Sequence, residues 1–161
     1  MRRKEKECND MAVMEEFLKQ GEVMHLAIHD PDNPNQPSGQ AAPYIVPVHY
    51  VYDEGVLYFH SAMEGMKLDL IKKNPRVGFN ITALYKIRQA DSPCGTGTAF
   101  GSVTGSATAY LHEHKQEVLN LFTDRFTQHP HTEFPADMLA KVAVVRLAID
   151  TIFFKVDKRG V

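Results

Sequence analysis

Residues 43–61 read PYIVPVHYVYDEGVLYFHS. Two runs of β-branched and aromatic residues, 43–52 and 56–61, flank the turn formers Asp53-Glu54-Gly55. Strand formers on both sides of a short glycine-bearing turn predict a β-hairpin. Pro47 interrupts the first run. Proline has no N–H to give a neighbouring strand. That strand is therefore expected at a sheet edge, at a bulge, or open to something other than a strand.

The same reading extends outward. Upstream, NDMAVMEEFLKQ (9–20) predicts a helix, capped by Asn9 or Asp10, with Met14, Phe17 and Leu18 on one face and Gly21 at its end. EVMHLAIH (22–29) alternates as a strand, and DPDNPNQPSGQ (30–40) is a long hairpin connection rich in turn formers. Downstream, 65–73 predicts a short helix with Met66, Leu70 and Ile71 inward, stopped at Asn74-Pro75. A strand follows over 76–83, then a polar loop over 84–97. Residues 98–110, TAFGSVTGSATAY, predict a strand that its glycines bulge or coil. Residues 112–127 predict an amphipathic helix with Val118, Leu119, Phe122 and Phe126 inward, HPHTEFP a turn, and 142–156 a final strand or strand pair. Hairpin connections outnumber βαβ units. The fold class is thus mainly β, an antiparallel barrel with peripheral helices, over one domain of residues 1–161.

Bulk properties narrow the function. With 43% hydrophobic and 24% charged residues, the composition suits a globular protein with its own core. The net charge of −2, with no basic stripe, argues against nucleic acid as a partner. No apolar run is long enough for a membrane span, and the first residues lack a signal-peptide core, so a cytoplasmic location is expected. Cys8 and Cys94 form no CxxC pair, so neither a disulfide framework nor a thiolate metal site is expected.

Two stretches carry candidate chemistry. After His60, the loop SAMEGM brings Ser61 and the backbone N–H groups of a helix start near one point, and Lys67 adds a full positive charge. Free N–H groups at a helix start, a hydroxyl and an ammonium together suit a phosphate. The plain alternative is a serine cap and a solvated lysine. Val46-Pro47-Val48-His49 is the second stretch: a strand disturbed by proline can offer backbone groups and an apolar wall to a flavin ring. Its plain alternative is an edge strand that proline protects from aggregation. His49 and His60 flank the proposed site as acid, ligand or structural histidines. His112 and His114, two apart on a predicted helix, do not share a face, so no metal site is expected there. GTGTAFG (95–101) neither follows a convincing strand nor opens a helix, so a dinucleotide loop fails on context.

The stretch PVHYVYDEGVLYFHSAMEGMKLDLIKKNPRVGF resembles the pyridoxamine 5'-phosphate oxidase-like flavin proteins, and among them the 5-nitroimidazole-resistance (nitroimidazole reductase) family. MRRKEKE, SVTGSA and VAVVRLAID fit the same pattern in the same order. The resemblance implies an FMN-binding split barrel, a homodimer with FMN in clefts at the interface, and reduction of small electrophiles such as nitroaromatics. By position, Val46, Pro47, Val48 and His49 would line the flavin ring, with His49 on the substrate side as the catalytic candidate. His60, Ser61, Ala62, Met66 and Lys67 would surround the phosphate. Where the vitamin-forming oxidases carry two phosphate-side arginines, this chain reads Tyr44-Ile45 and Met66, which argues against oxidation of pyridoxamine phosphate. The second reading is a non-catalytic carrier or sensor of flavin or haem, and a deazaflavin is a third cofactor compatible with the pattern.

Overall fold

A computed structural model describes residues 6–30 and 42–157, with the backbone alone at 84 and 85. The predicted loop 30–40 lies, beyond Asp30, outside the described residues. In chain order the elements are α1 (Met11–Gln20), β1 (Val23–Ile28), β2 (Tyr44–His49), β3 (Val51–Asp53), β4 (Val56–Ala62), α2 (Met66–Lys73), β5 (Arg76–Arg88), β6 (Gly97–Leu111), α3 (Lys115–Phe126), α4 (Ala136–Lys141) and β7 (Val142–Asp157). All seven strands form one antiparallel sheet in the order β2-β1-β5-β6-β7-β4-β3.

That order forces a curl. β2 and β3 stand at opposite edges of the sheet, yet only Tyr50 separates them in the chain. Seven flat strands would put the edges about 29 Å apart, at roughly 4.8 Å per step. One intervening residue spans about 7 Å between flanking Cα atoms. The edges therefore meet, and the sheet closes on itself as a split barrel.

The corner is built with care at Tyr50, which is fully buried. Its hydroxyl donates to the Leu18 carbonyl at 2.7 Å, and its N–H donates to Glu22 O at 3.3 Å. Gly21 sits beside it: a Cβ there would overlap the Tyr50 hydroxyl and come within 2.9 Å of Ile81 Cγ2. Gly21 follows α1 as expected, but with φ −69° rather than a left-handed φ. Close packing, not backbone freedom, requires the glycine. Arg125 of α3 donates to the Tyr50 carbonyl at 3.5 Å and to the Gly21 carbonyl, with its guanidinium 5.7 Å from the Tyr50 ring centroid.

The β3–β4 hairpin turns at Glu54 (φ 44°) and Gly55 (φ 84°), the two positive values of a type I′ turn. The predicted strand 43–52 divides at Tyr50 rather than at Pro47, and β2 is an edge strand. The barrel core includes Leu18, Met24, Leu26, Ile28, Leu57, Phe59, Ile81, Val103 and Leu147. A smaller cluster of Val51, Val118, Leu119, Phe122 and Val144 lies under α3.

Several boundaries differ from the sequence reading. β5 runs to Arg88 and pairs with β6 from Gly97, so the predicted loop 84–97 shrinks to residues 89–96, with a 3-10 turn at Pro93–Gly95. Backbone pairing with β6 sustains this arm although Lys86 and Ile87 are exposed. The irregularity expected in β6 falls at Ser106/Ala107, where Asp150 of β7 is the extra residue. Helix α3 starts at Lys115, α4 was not anticipated, and β7 is one continuous strand. In α2, Met66 is exposed and Leu68 takes the predicted inward place beside Leu70 and Ile71. In α3, Phe126 is exposed, because its ring faces a cleft rather than the core.

Replacing Tyr50 by Phe removes the donor to the buried Leu18 carbonyl. The expected loss is about 1–3 kcal/mol of unfolding free energy, read as a lower urea midpoint. An unchanged midpoint would show that the hydroxyl does not hold the corner.

Candidate functional site

The hairpin register sets the site. Val51 pairs with Tyr58 across β3 and β4. Extended two residues past Tyr50, that register sets His49 across from His60, where the closed sheet edges meet. Along β2, Val46 and Val48 turn toward the core while Ile45, Pro47 and His49 are exposed. Along β4, Leu57 and Phe59 are buried while His60 faces outward.

Over this seam lies a cleft of about 700 Å³, within the usual range of roughly 300–1,000 Å³ for small-molecule sites. Pro47, Val48, His49, His60 and Lys67 form its base, and Leu119, Phe122, Thr123 and Phe126 of α3 form a wall. Phe134, Met138 and Val142 close another side. The rings interlock edge-on: His60 with Phe122 at 4.8 Å and His49 with Phe126 at 5.5 Å between centroids. Lys67 Nζ stands 5.4 Å from the centre of the Phe59 ring.

Among the described residues, no carboxylate forms an ion pair with His49, His60 or Lys67. Solvent reaches the rim of His60, yet partial burial holds its imidazole below the ordinary value of 6.5, and the neighbouring His49 and Lys67 push the same way. Burial likewise holds the Lys67 ammonium below the usual lysine range. Basic groups without counter-charge, facing an aromatic wall, favour a ligand with a flat apolar body and an anionic end.

The structure thus brings together Pro47, Val48, His49, His60 and Lys67, but not every residue singled out in the sequence. Val46 packs against the barrel core. Ser61 is half-buried in β4, on the strand face opposite His60, and Ala62 is exposed at the strand end. Met66 opens α2 with 48% exposure and does not line the cleft. Ser61 does not cap α2: the cap is Gly65, at φ 134°, with no side-chain hydrogen bond. The wall residues Leu119, Phe122 and Phe126 read as helix core in the sequence. Phe134 and Met138 gave no signal, since they depend on how 127–141 folds back. The rings of His112 and His114 lie 5.7 Å apart at a 57° tilt where β6 ends and α3 begins, not on the helix. Among the described residues, no group of three or more metal-ligating side chains is assembled. Cys8 and Cys94 are both free thiols. No helix among the described residues is long and apolar enough to cross a membrane.

The family model described as pyridoxamine 5'-phosphate oxidase matches residues 10–156. No curated protein matches the chain. Among solved structures, a candidate 5-nitroimidazole antibiotic resistance protein from Bacteroides thetaiotaomicron is similar, with 20% identity and TM-score 0.76, over 93% of this chain and 86% of the other. The FAD and heme binding protein from Mycobacterium smegmatis aligns with TM-score 0.81 at 18% identity, over 95% of this chain and 74% of its own. A flavocytochrome from Azotobacter vinelandii aligns with TM-score 0.80 at 18% identity, covering 98% and 72%. At these identities the likeness establishes the fold.

The depressed His60 pKa has a consequence for stability. As pH falls through 6.5, the unfolded chain takes up a proton that the folded site resists, so stability falls. His60→Gln should remove that part of the acid sensitivity. Urea midpoints at pH 7 and pH 5, compared between the two proteins, should differ less in the variant; an equal difference would mean that His60 titrates alike in both states.

Proposed function

The chain belongs to the pyridoxamine 5'-phosphate oxidase family, and from this we propose that it is an FMN-binding flavoprotein that reduces small electrophiles such as nitroimidazoles and other nitroaromatics. One observation carries the reading: His49, His60 and Lys67, without carboxylate partners among the described residues, share one cleft with the rings of Phe122 and Phe126. That pairing of a basic base and an aromatic wall fits both ends of FMN.

In this reading Lys67 and His60 take the phosphate, while Ser61, Ala62 and Met66, at the β4–α2 junction, stay outside the cleft lining. Pro47 and Val48 face the ring system, and among the described residues the edge strand β2 pairs only with β1, which supports backbone contacts from its outer side. Val46 supports that strand from the core. His49, exposed in the cleft, would deliver a proton to the reduced substrate. Bound FMN would supply the redox chemistry, and the protein binds, orients and excludes water. The proposal includes a homodimer, which exposed Ile45, Tyr110, Leu111 and Phe153 support as apolar surface available for burial. It also includes a cytoplasmic location, with which two free thiols agree.

A second reading, a non-catalytic flavin or haem carrier, is favoured by the same two imidazoles, His49 and His60, since histidine is a common axial ligand of haem iron. The visible spectrum separates the two. A flavin spectrum or saturable FMN uptake, followed by NAD(P)H-driven reduction of a nitroimidazole, is the expected result. A Soret band without FMN uptake would replace the first reading by the second.

Lys67→Ala removes one charge-assisted contact, with an expected cost of about 1.5–3 kcal/mol, or roughly a tenfold to hundredfold rise in Kd for FMN. Fluorescence titration reads this directly. Unchanged affinity would move the phosphate away from Lys67.

A further inference from the structure

We propose that Gln116 is a positioning residue that clamps the strap 127–135 over the cleft, so that Phe134 closes on a bound ring system. The proposal rests on the flavin reading above and deepens it by naming what holds the ligand in.

The strap joins α3 to α4 and contains no helix or strand of its own. Side chains of α3 hold it instead. Gln116, Asn120 and Asp124, spaced by four, form one polar stripe along the helix. Gln116 Nε2 donates to the Thr132 carbonyl at 2.7 Å, and Gln116 Oε1 accepts from Phe134 N–H at 3.0 Å. One amide thus satisfies backbone groups on both sides of Glu133. The same Nε2 lies 3.1 Å from Asn120 Oδ1, which fixes the orientation of the amide. Further along, Asp124 Oδ1 accepts from His131 N–H at 2.8 Å, where a φ of 50° turns the chain back. Thr132 Oγ1 donates to His129 O at 2.7 Å.

The consequence lies on the other side of the strap. Phe134 packs against the cluster under α3 and lines the cleft. A segment held by a few side-chain hydrogen bonds opens at far lower cost than the barrel itself. A planar ligand seated between the α3 wall and Phe134 can leave when that segment lifts, so the clamp governs ligand exchange. Gln116 does not itself line the cleft and acts on it through Phe134.

The test is a double-mutant cycle on the full chain loaded with FMN, with release followed by recovery of flavin fluorescence on dilution. Gln116→Ala and Phe134→Ala should each release FMN roughly five- to tenfold faster. In the Phe134→Ala background, Gln116→Ala should add little. Gln116→Glu, which keeps the acceptor for Phe134 N–H and loses the donor to Thr132, should fall between. Amide hydrogen exchange at Phe134 should quicken in Gln116→Ala. Additive effects, or faster exchange with unchanged release, would overturn the clamp. If the wild-type chain takes up no FMN, the flavin reading alone fails, and the cycle is repeated with the aromatic anion anilinonaphthalene sulfonate. The same non-additive pattern would then support the clamp; an additive or flat pattern, or no uptake of the dye, would overturn it.

Discussion

A single residue between two sheet edges governs this molecule. Tyr50 is the whole connection between β2 and β3, which stand at opposite ends of the strand order. A flat sheet cannot meet that constraint, so the sheet closes. The closure is stabilised where it happens. The buried Tyr50 hydroxyl has a carbonyl to donate to, and burial raises its pKa so that it remains a neutral donor. Gly21 makes room for it, and Arg125 ties the same corner to α3.

The cleft inherits its geometry from that corner. His49 and His60 come from strands on either side of the seam and meet because the seam is closed. Helix α3 then does three jobs with three faces. Its apolar residues Val118, Leu119 and Phe122 bury the cluster on the outside of the sheet. Phe122 and Phe126 meet the two imidazoles edge-on. Gln116 and Asp124 hold the returning strap. Burial lowers the pKa values of both His60 and Lys67, and at His60 the neighbouring His49 and Lys67 add to the effect. An anionic ligand would offset the cost of charging them there.

Much of the frame was legible in the residues. The hairpin turn within Asp53-Glu54-Gly55, a proline-marked strand whose alternatives included a sheet edge, a cap of α1 at Asn9 or Asp10, and a short helix within 65–73 follow from local chemistry. Local rules failed where long-range pairing overrides composition. Residues 84–88 belong to a strand because β6 pairs with them, a partner that only the long-range fold supplies. Helix α4 was hidden because its six residues bury no side chain. Met66 read as a core position because helical periodicity places a face but does not say what covers it.

The site divides along the same line. The sequence by itself determined which chemistry was available: a proline-marked edge strand ending in His49, a second strand ending in His60-Ser61, and Lys67 at a helix start. These are matters of residue type and short spacing, and neighbours in the chain carry them. Only the tertiary structure decided which of them share a cleft. The pleat of β4 turns His60 into it and Ser61 to the other face, and the packing of α3 and the strap supplies Phe126 and Phe134. No local pattern could anticipate those partners, because the contacts arise only after the sheet has closed at Tyr50 and α3 has docked across the seam.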